Sequence, residues 1–133
     1  MRTEIFSANV EKLNDVLAFV DEELEKVEAP MKIATQMDIA IEELFVNVAS
    51  YAYAPNSGDV EIKVEAKDGS IEVIFEDSGV EFDPLAGEDP DITLSAEERR
   101  IGGLGIFMVK KFVDEMDYCR TDGKNILRIR KTW

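Results

Sequence analysis

Histidine is absent from the 133-residue sequence, and cysteine occurs once, as Cys119. Without histidine there is no Ser-His-Asp triad, no Cys-His pair and no His-ligated zinc. A single cysteine forms neither an intrachain disulfide nor a thiolate metal cluster. Positive charge is scarce: 15 Lys and Arg against 29 Asp and Glu give a formal net charge of −14. DNA, RNA and anionic membranes each call for a basic surface, so none is expected as the main partner. A polyphosphate bound to so acidic a chain would bring a divalent cation with it. No apolar run reaches the roughly 20 residues of a membrane-spanning helix. The start, Met1 to Phe6, has no long apolar stretch either. The expectation is a soluble, cytoplasmic protein.

What is present fits one globular domain over residues 1–133. Hydrophobic residues make up 45% and charged residues 33%, an ordinary mixture. A chain of this length buries roughly two-thirds of the surface it exposes unfolded, enough for a core without staples. No repeat or low-complexity linker divides it. Arg2 to Phe6 reads as a short strand. Asn9 is a candidate N-cap for a helix with Val10, Leu13, Leu17, Val20, Leu24 and Val27 at helical spacing. Pro30 is expected to end it, because proline disfavours helical geometry in the residue before it. A second helix is expected from about Lys32 to Tyr53, with Ile33, Met37, Ile41, Leu44, Val48 and Tyr51 as its apolar stripe. Period-two alternation then marks two hairpins. The first joins Val60–Ala66 to Ser70–Glu76 through Asp68-Gly69; the second joins Tyr118–Thr121 to Ile126–Arg130 through Asp122-Gly123. A third helix, Gly103 to about Met116, lies between them. The order predicts an α/β (α+β) two-layer sandwich, with helices on one face of a mostly antiparallel mixed sheet.

Three stretches carry residue types suited to chemistry. On the second helix Glu43 and Asn47 lie one turn apart at the same margin of the apolar stripe, while Glu42 points away. Such a pair is either satisfied by nearby backbone, or combines a general base with an amide oxygen able to hold Mg²⁺. Asp77-Ser78-Gly79-Val80-Glu81-Phe82-Asp83-Pro84 follows an apolar strand. It is either an ordinary Asp-x-Gly turn, or a place where a flat ligand meets the backbone and a carboxylate accepts from the amino group of adenine. Gly102-Gly103-Leu104-Gly105 opens the third helix. Glycines there cost about 1 kcal/mol each relative to alanine, so they mark either a hinge or an anion site at the helix N-terminus. No Gly-Lys-Ser/Thr follows, and no strand precedes, so neither a P-loop nor a Rossmann turn is present. Between the second and third stretches runs a long polar loop, residues 82–101, with a candidate capping box at Ser95–Glu98 and Arg99 and Arg100 at its end.

The order Glu-x-x-x-Asn, Asp-x-Gly-x-x-Phe-Asp-Pro, long loop and Gly-Gly-Leu-Gly resembles the GHKL ATP-binding (Bergerat) fold. Within it the chain is similar to the small anti-sigma-factor serine/threonine kinases of the SpoIIAB and RsbW type. Ile41–Asn47 and Arg100–Ile106 carry most of the likeness. The resemblance implies ATP and Mg²⁺ as cofactors. It assigns Asn47 to the Mg²⁺, Glu43 to activation of the substrate hydroxyl, Asp77 and Gly79 to adenine, and Gly103, Leu104 and Gly105 to the phosphates. Ser50 and Arg100 are further nucleotide contacts it implies, with an ATP lid around residues 82–102. Tyr51 stands where some relatives carry histidine. The implied substrate is a STAS-domain anti-anti-sigma protein, with a sigma factor as a second partner and a homodimer as one assembly. Three other functions remain open on the residues: a nucleotide-dependent binding module without transfer, a detached histidine-kinase catalytic domain, and a ligand-free structural domain. Glu43 favours the kinase, since a binder needs no base.

Overall fold

The computed structural model describes residues 1–53, 56–85 and 103–133. Five strands and three helices follow in the order β1 (Arg2–Ser7), α1 (Leu13–Lys26), α2 (Met31–Asn47), β2 (Asp59–Lys67), β3 (Ser70–Asp77), α3 (Gly103–Phe112), β4 (Glu115–Thr121) and β5 (Lys124–Thr132). The sheet order is β1-β2-β3-β5-β4, and all four pairings are antiparallel. Connectivity explains this. Two helices between β1 and β2 carry the chain out and back, so β2 arrives reversed. One helix between β3 and β4 leaves those strands pointing the same way, and β5 inserts between them. The mixture of directions thus lies between β3 and β4, which do not pair.

Asn9 caps a single 3₁₀ turn, Val10–Lys12, by accepting from the Glu11 N–H, and α1 proper begins at Leu13. That helix ends three residues before Pro30, at Lys26–Val27. The stop is made by Glu28, which takes a left-handed conformation (φ 53°). The Ala29 N–H then bonds back to the Leu24 carbonyl at 3.1 Å. Helix α3 also ends earlier than its pattern implies, at Phe112. Asp114 Oδ2 accepts from both Thr132 N and Thr132 Oγ1 (2.6 and 2.9 Å), and this fixes the start of β4, so Met116 pairs with Ile129 as a strand residue.

The helices cover one face of the sheet. Val60, Ile62 and Val64 of β2 and Ile71, Val73 and Phe75 of β3 point inward with Leu127 and Ile129 of β5. Helix α2 buries Ile33, Met37, Ala40, Ile41, Leu44 and Phe45 against them. Its buried arc is wider than the stripe seen in sequence because α1 and α3 flank it on both sides. The opposite sheet face is ion-paired: Lys63 with Glu76 at 3.1 Å, and Arg128 with Glu72 at 2.9 Å and Asp117 at 2.8 Å.

One carboxyl pair sits between helices. Asp38 of α2 lies against Asp21 of α1, and one oxygen of each is buried with no hydrogen bond among the described residues. Burial, then contact with Asp21 and the charges of Asp21 and Glu42, push Asp38 up to about 7. A carboxyl raised in the folded state contributes stability at low pH that is lost as pH rises from its unfolded value through about 7. Asp38→Asn is therefore expected to raise Tm more at pH 8 than at pH 4. Equal shifts at both pH values in thermal melts would show that the pair does not share a proton.

Candidate functional site

Helix α2 does not stop at Asn47. It continues through a π-helical turn, Val48–Ala52. Each residue advances less around a π turn than in an α-helix, so Tyr51 swings off the buried stripe and stands 44% exposed. Ser50 is swung with it. It is exposed, and it is not among the residues lining the cavity described below.

The widened turn meets the end of β3. The Val80 N–H donates to the Ala52 carbonyl at 2.8 Å. Gly79 packs so closely on that carbonyl that a Cβ at position 79 would overlap its oxygen and carbon. Tyr53 ties the same junction from outside: its hydroxyl donates to the Asp59 carbonyl (2.6 Å) and accepts from the Ser78 N–H (2.9 Å). Asp77, the last residue of β3, is 6% exposed. Its Oδ1 accepts from the Gly79 N–H (2.9 Å) and from Asn125 Nδ2 (3.0 Å). Both bonds fall on one oxygen, so among the described residues Oδ2 remains for another donor.

An apolar cavity lies between these elements. Asn47, Tyr51, Phe75, Asp77, Phe82 and Ile106 are among its walls. Phe82 packs against Tyr51 with ring centroids 6.3 Å apart. One turn before Asn47, Glu43 lies against the start of α3: its carboxylate occupies the space a Cβ on Gly105 would need. Burial raises the Glu43 carboxyl above the ordinary carboxylate range, the Glu42 charge adds to the rise, and the Asn47 amide pulls the other way. Asn47 lies one turn along α2 from Glu43, and its amide nitrogen is Nδ2. That nitrogen is buried and completes no hydrogen bond among the described residues.

Of the residues singled out in the sequence, the structure places Asn47 and Asp77 on the cavity wall, while Glu43 meets Gly105 and Gly79 meets the Ala52 carbonyl beside it. Gly103 begins α3, and nothing is described of the Leu104 side chain. Arg100, Arg99, the capping box at 95–98 and all of the 82–102 segment beyond Leu85 lie outside the described residues. Two residues that reasoning from sequence passed over are Asn125 and Tyr118, both cavity-lining. Asn125 carried a legible sign: it shares the inward face of β5 with Leu127 and Ile129, so it is a polar residue in an apolar register.

The model of the histidine kinase-like ATPase domain matches residues 6–131. The chain belongs to this family. Its curated relatives include the serine-protein kinase RsbW of Bacillus cereus strain G9842, 26% identical over 95 residues. RsbW of Bacillus anthracis strain A0248 is 27% identical over the same length. These matches take in 68% of this chain, and the chain spans 59% of the relatives' length. Among solved structures, the histidine kinase domain of the Erythrobacter litoralis blue-light-activated kinase superposes with a TM-score of 0.60 at 16% identity, covering 92% of this chain and 60% of that one. The Acinetobacter baumannii histidine kinase AdeS gives 0.50 at 12% identity, covering 99% and 68%. At such identities these likenesses speak to the fold, the GHKL architecture that the motif order implied. Among the described residues no helix is long and apolar enough to cross a membrane.

Proposed function

We propose that this chain is an ATP- and Mg²⁺-dependent serine/threonine protein kinase. In this reading it acts in the cytoplasm as an anti-sigma regulatory factor and phosphorylates a STAS-domain antagonist protein. The observation that carries the proposal is an apolar cavity lined by both the buried Asp77 carboxylate and Asn47, with Glu43 one helical turn before Asn47.

The residues fit the cofactor. Aromatic and aliphatic walls suit a purine ring, and Asp77 Oδ2 accepts from an exocyclic amino group where guanine would present an oxygen. No group of three or more His, Cys, Asp or Glu able to hold a metal occurs among the described residues. Mg²⁺ does not need one, because it is commonly held by one or two protein oxygens together with substrate phosphates. Asn47 Oδ1 would be that protein oxygen. The start of α3 directs backbone N–H groups toward an anion, and Gly105 leaves the room that Glu43 fills. Mg-ATP, when bound, supplies the phosphoryl group and much of the charge neutralisation of its transfer. Glu43 then takes the proton from the serine or threonine hydroxyl, and its raised proton affinity suits it to that task. The chain's likeness to proteins named serine-protein kinase supports the same acceptor class.

Incubation with labelled ATP, Mg²⁺ and a STAS-domain protein tests the proposal; transfer to serine or threonine is the expected result. ATP binding with no transfer to any such protein would leave a nucleotide-dependent binding module. Thermal melts test the site itself. Mg-ATP is expected to raise Tm and GTP to do so much less, since a ligand at 100 times its Kd adds about 2.7 kcal/mol. Asn47→Ala should weaken Mg-ATP by about tenfold, in line with loss of one charged-group contact. No shift at millimolar ATP would defeat the nucleotide reading, and unchanged affinity in Asn47→Ala would remove that residue's role.

A further inference from the structure

Asn125 is one of the two buried polar or charged residues of the described core, and Asp77 is the other. It makes five hydrogen bonds. Its Nδ2 donates to Asp77 Oδ1 (3.0 Å) and to the Val80 carbonyl (2.7 Å). Its Oδ1 accepts from the Tyr118 hydroxyl (2.5 Å), Arg120 Nη1 (3.1 Å) and the Phe82 N–H (3.4 Å). The amide has one permitted orientation, because the Val80 carbonyl only accepts and Arg120 and the Phe82 N–H only donate. Arg120 Nη1 also donates to the Gly79 carbonyl at 2.8 Å. One side chain from β5 therefore holds the Asp77 carboxylate and both ends of the segment Val80–Phe82 that walls the cavity.

We infer that Asn125 is a positioning residue for nucleotide selection: it turns the Asp77 carboxylate so that Oδ2 faces the cavity, and it fixes the Val80–Phe82 wall at the distance a purine needs. The inference rests on the nucleotide reading above and assigns to that site the residue that sets its base preference. An amide is required at 125. Two N–H groups serve two acceptors and one oxygen serves the donors, and a hydroxyl offers only one hydrogen for the two acceptors. Aspartate would keep the shape but place a third acceptor against Asp77 and the Val80 carbonyl. That arrangement is relieved only when the two carboxyls share a proton. The other groups that face position 125 are Tyr118 and Arg120 of β4, with Glu81 and Asp83 acting on Tyr118.

The test uses the full chain and isothermal titration with ATP and GTP between pH 5 and 8. Asn125→Asp is expected to bind ATP near pH 5 and to lose about tenfold or more in affinity by pH 8, relative to a wild-type profile lacking that fall. Asn125→Ser is expected to narrow the ATP-over-GTP ratio by about tenfold at every pH. It should also speed amide exchange at Gly79 to Phe82 in the nucleotide-free protein. Circular dichroism and melting curves identify variants that are folded, and Asn125→Asp at pH 5 serves if Asn125→Ser is not. Wild-type discrimination in both variants, with a pH profile parallel to the wild type, would overturn the inference and leave the nucleotide site standing. A wild-type chain that binds neither nucleotide would overturn both.

Discussion

Glu43→Gln is expected to lower phosphoryl transfer by about 10²–10⁴-fold, the range typical of a lost general base. Its Kd for Mg-ATP should stay within about threefold, because the change removes an interaction made in the transition state and leaves ground-state binding in place. Glutamine is the informative replacement. The Glu43 carboxylate fills the space beside Gly105, and alanine would open a gap there and loosen α2 from α3. Glutamine keeps the shape and loses the proton acceptor. The pH profile adds a second readout. Burial, reinforced by the Glu42 charge, raises the Glu43 carboxyl, and a base works only when deprotonated. Wild-type transfer should therefore fall as pH drops, with a midpoint above the ordinary carboxylate range. Glu43→Gln should lack that limb. Full transfer in the variant would place the base elsewhere.

Gly79→Ala is expected to be the most damaging small change in the site. The backbone at 79 does not lie in the left-handed region, so the argument is one of space. The new Cβ would overlap the Ala52 carbonyl, and main chain on both sides has little freedom to yield. Overpacking of this kind costs about 1–3 kcal/mol, which corresponds to a Tm lower by roughly 5–10 °C for a domain of this size. Relief by separating the two backbones would break the Val80–Ala52 bond and shift Asp77. ATP affinity should therefore fall with stability. A variant that melts like the wild type and binds ATP normally would show that the two segments do not meet as described.

Much of the fold could be read locally. The helical spacing of Val20 and Leu24, the alternation of Val60, Ile62 and Val64, and the Asp-Gly pairs at both hairpins each depend on neighbours a few residues away. At the second hairpin Asp122 and Gly123 both take positive φ, 52° and 77°, as a tight turn of that class requires. Features set by distant packing were not legible. Phe45 is fully buried because α1 and α3 both lean on α2, which no periodicity within α2 reveals. The early end of α3 depends on Asp114 meeting Thr132 across the sheet. The site divides in the same way. Glu43 and Asn47 are one helical turn apart, so their shared margin was fixed by spacing, and Gly105 could be singled out as one of three glycines in a row of four. Ser50, a contact implied by the resemblance alone, lies in the π-helical turn past Asn47 and is exposed, and the widening that sets its direction has no mark in the helical spacing. Asn125 acts through five partners on two strands, β3 and β4, and the segment after β3, and only its inward register hinted at this.

The widened end of α2 also decides which changes the junction tolerates. A carbonyl in the last turn of an ordinary helix points along the axis; at Ala52 it is turned toward Val80 and captured by main chain. The link between helix and strand is thus written in backbone atoms at both ends. Exchanging the exposed side chain at 80 leaves it intact, whereas deleting one residue between 48 and 52 would rewind the turn and carry that carbonyl out of reach. Length, more than composition, is what this corner of the molecule has to preserve.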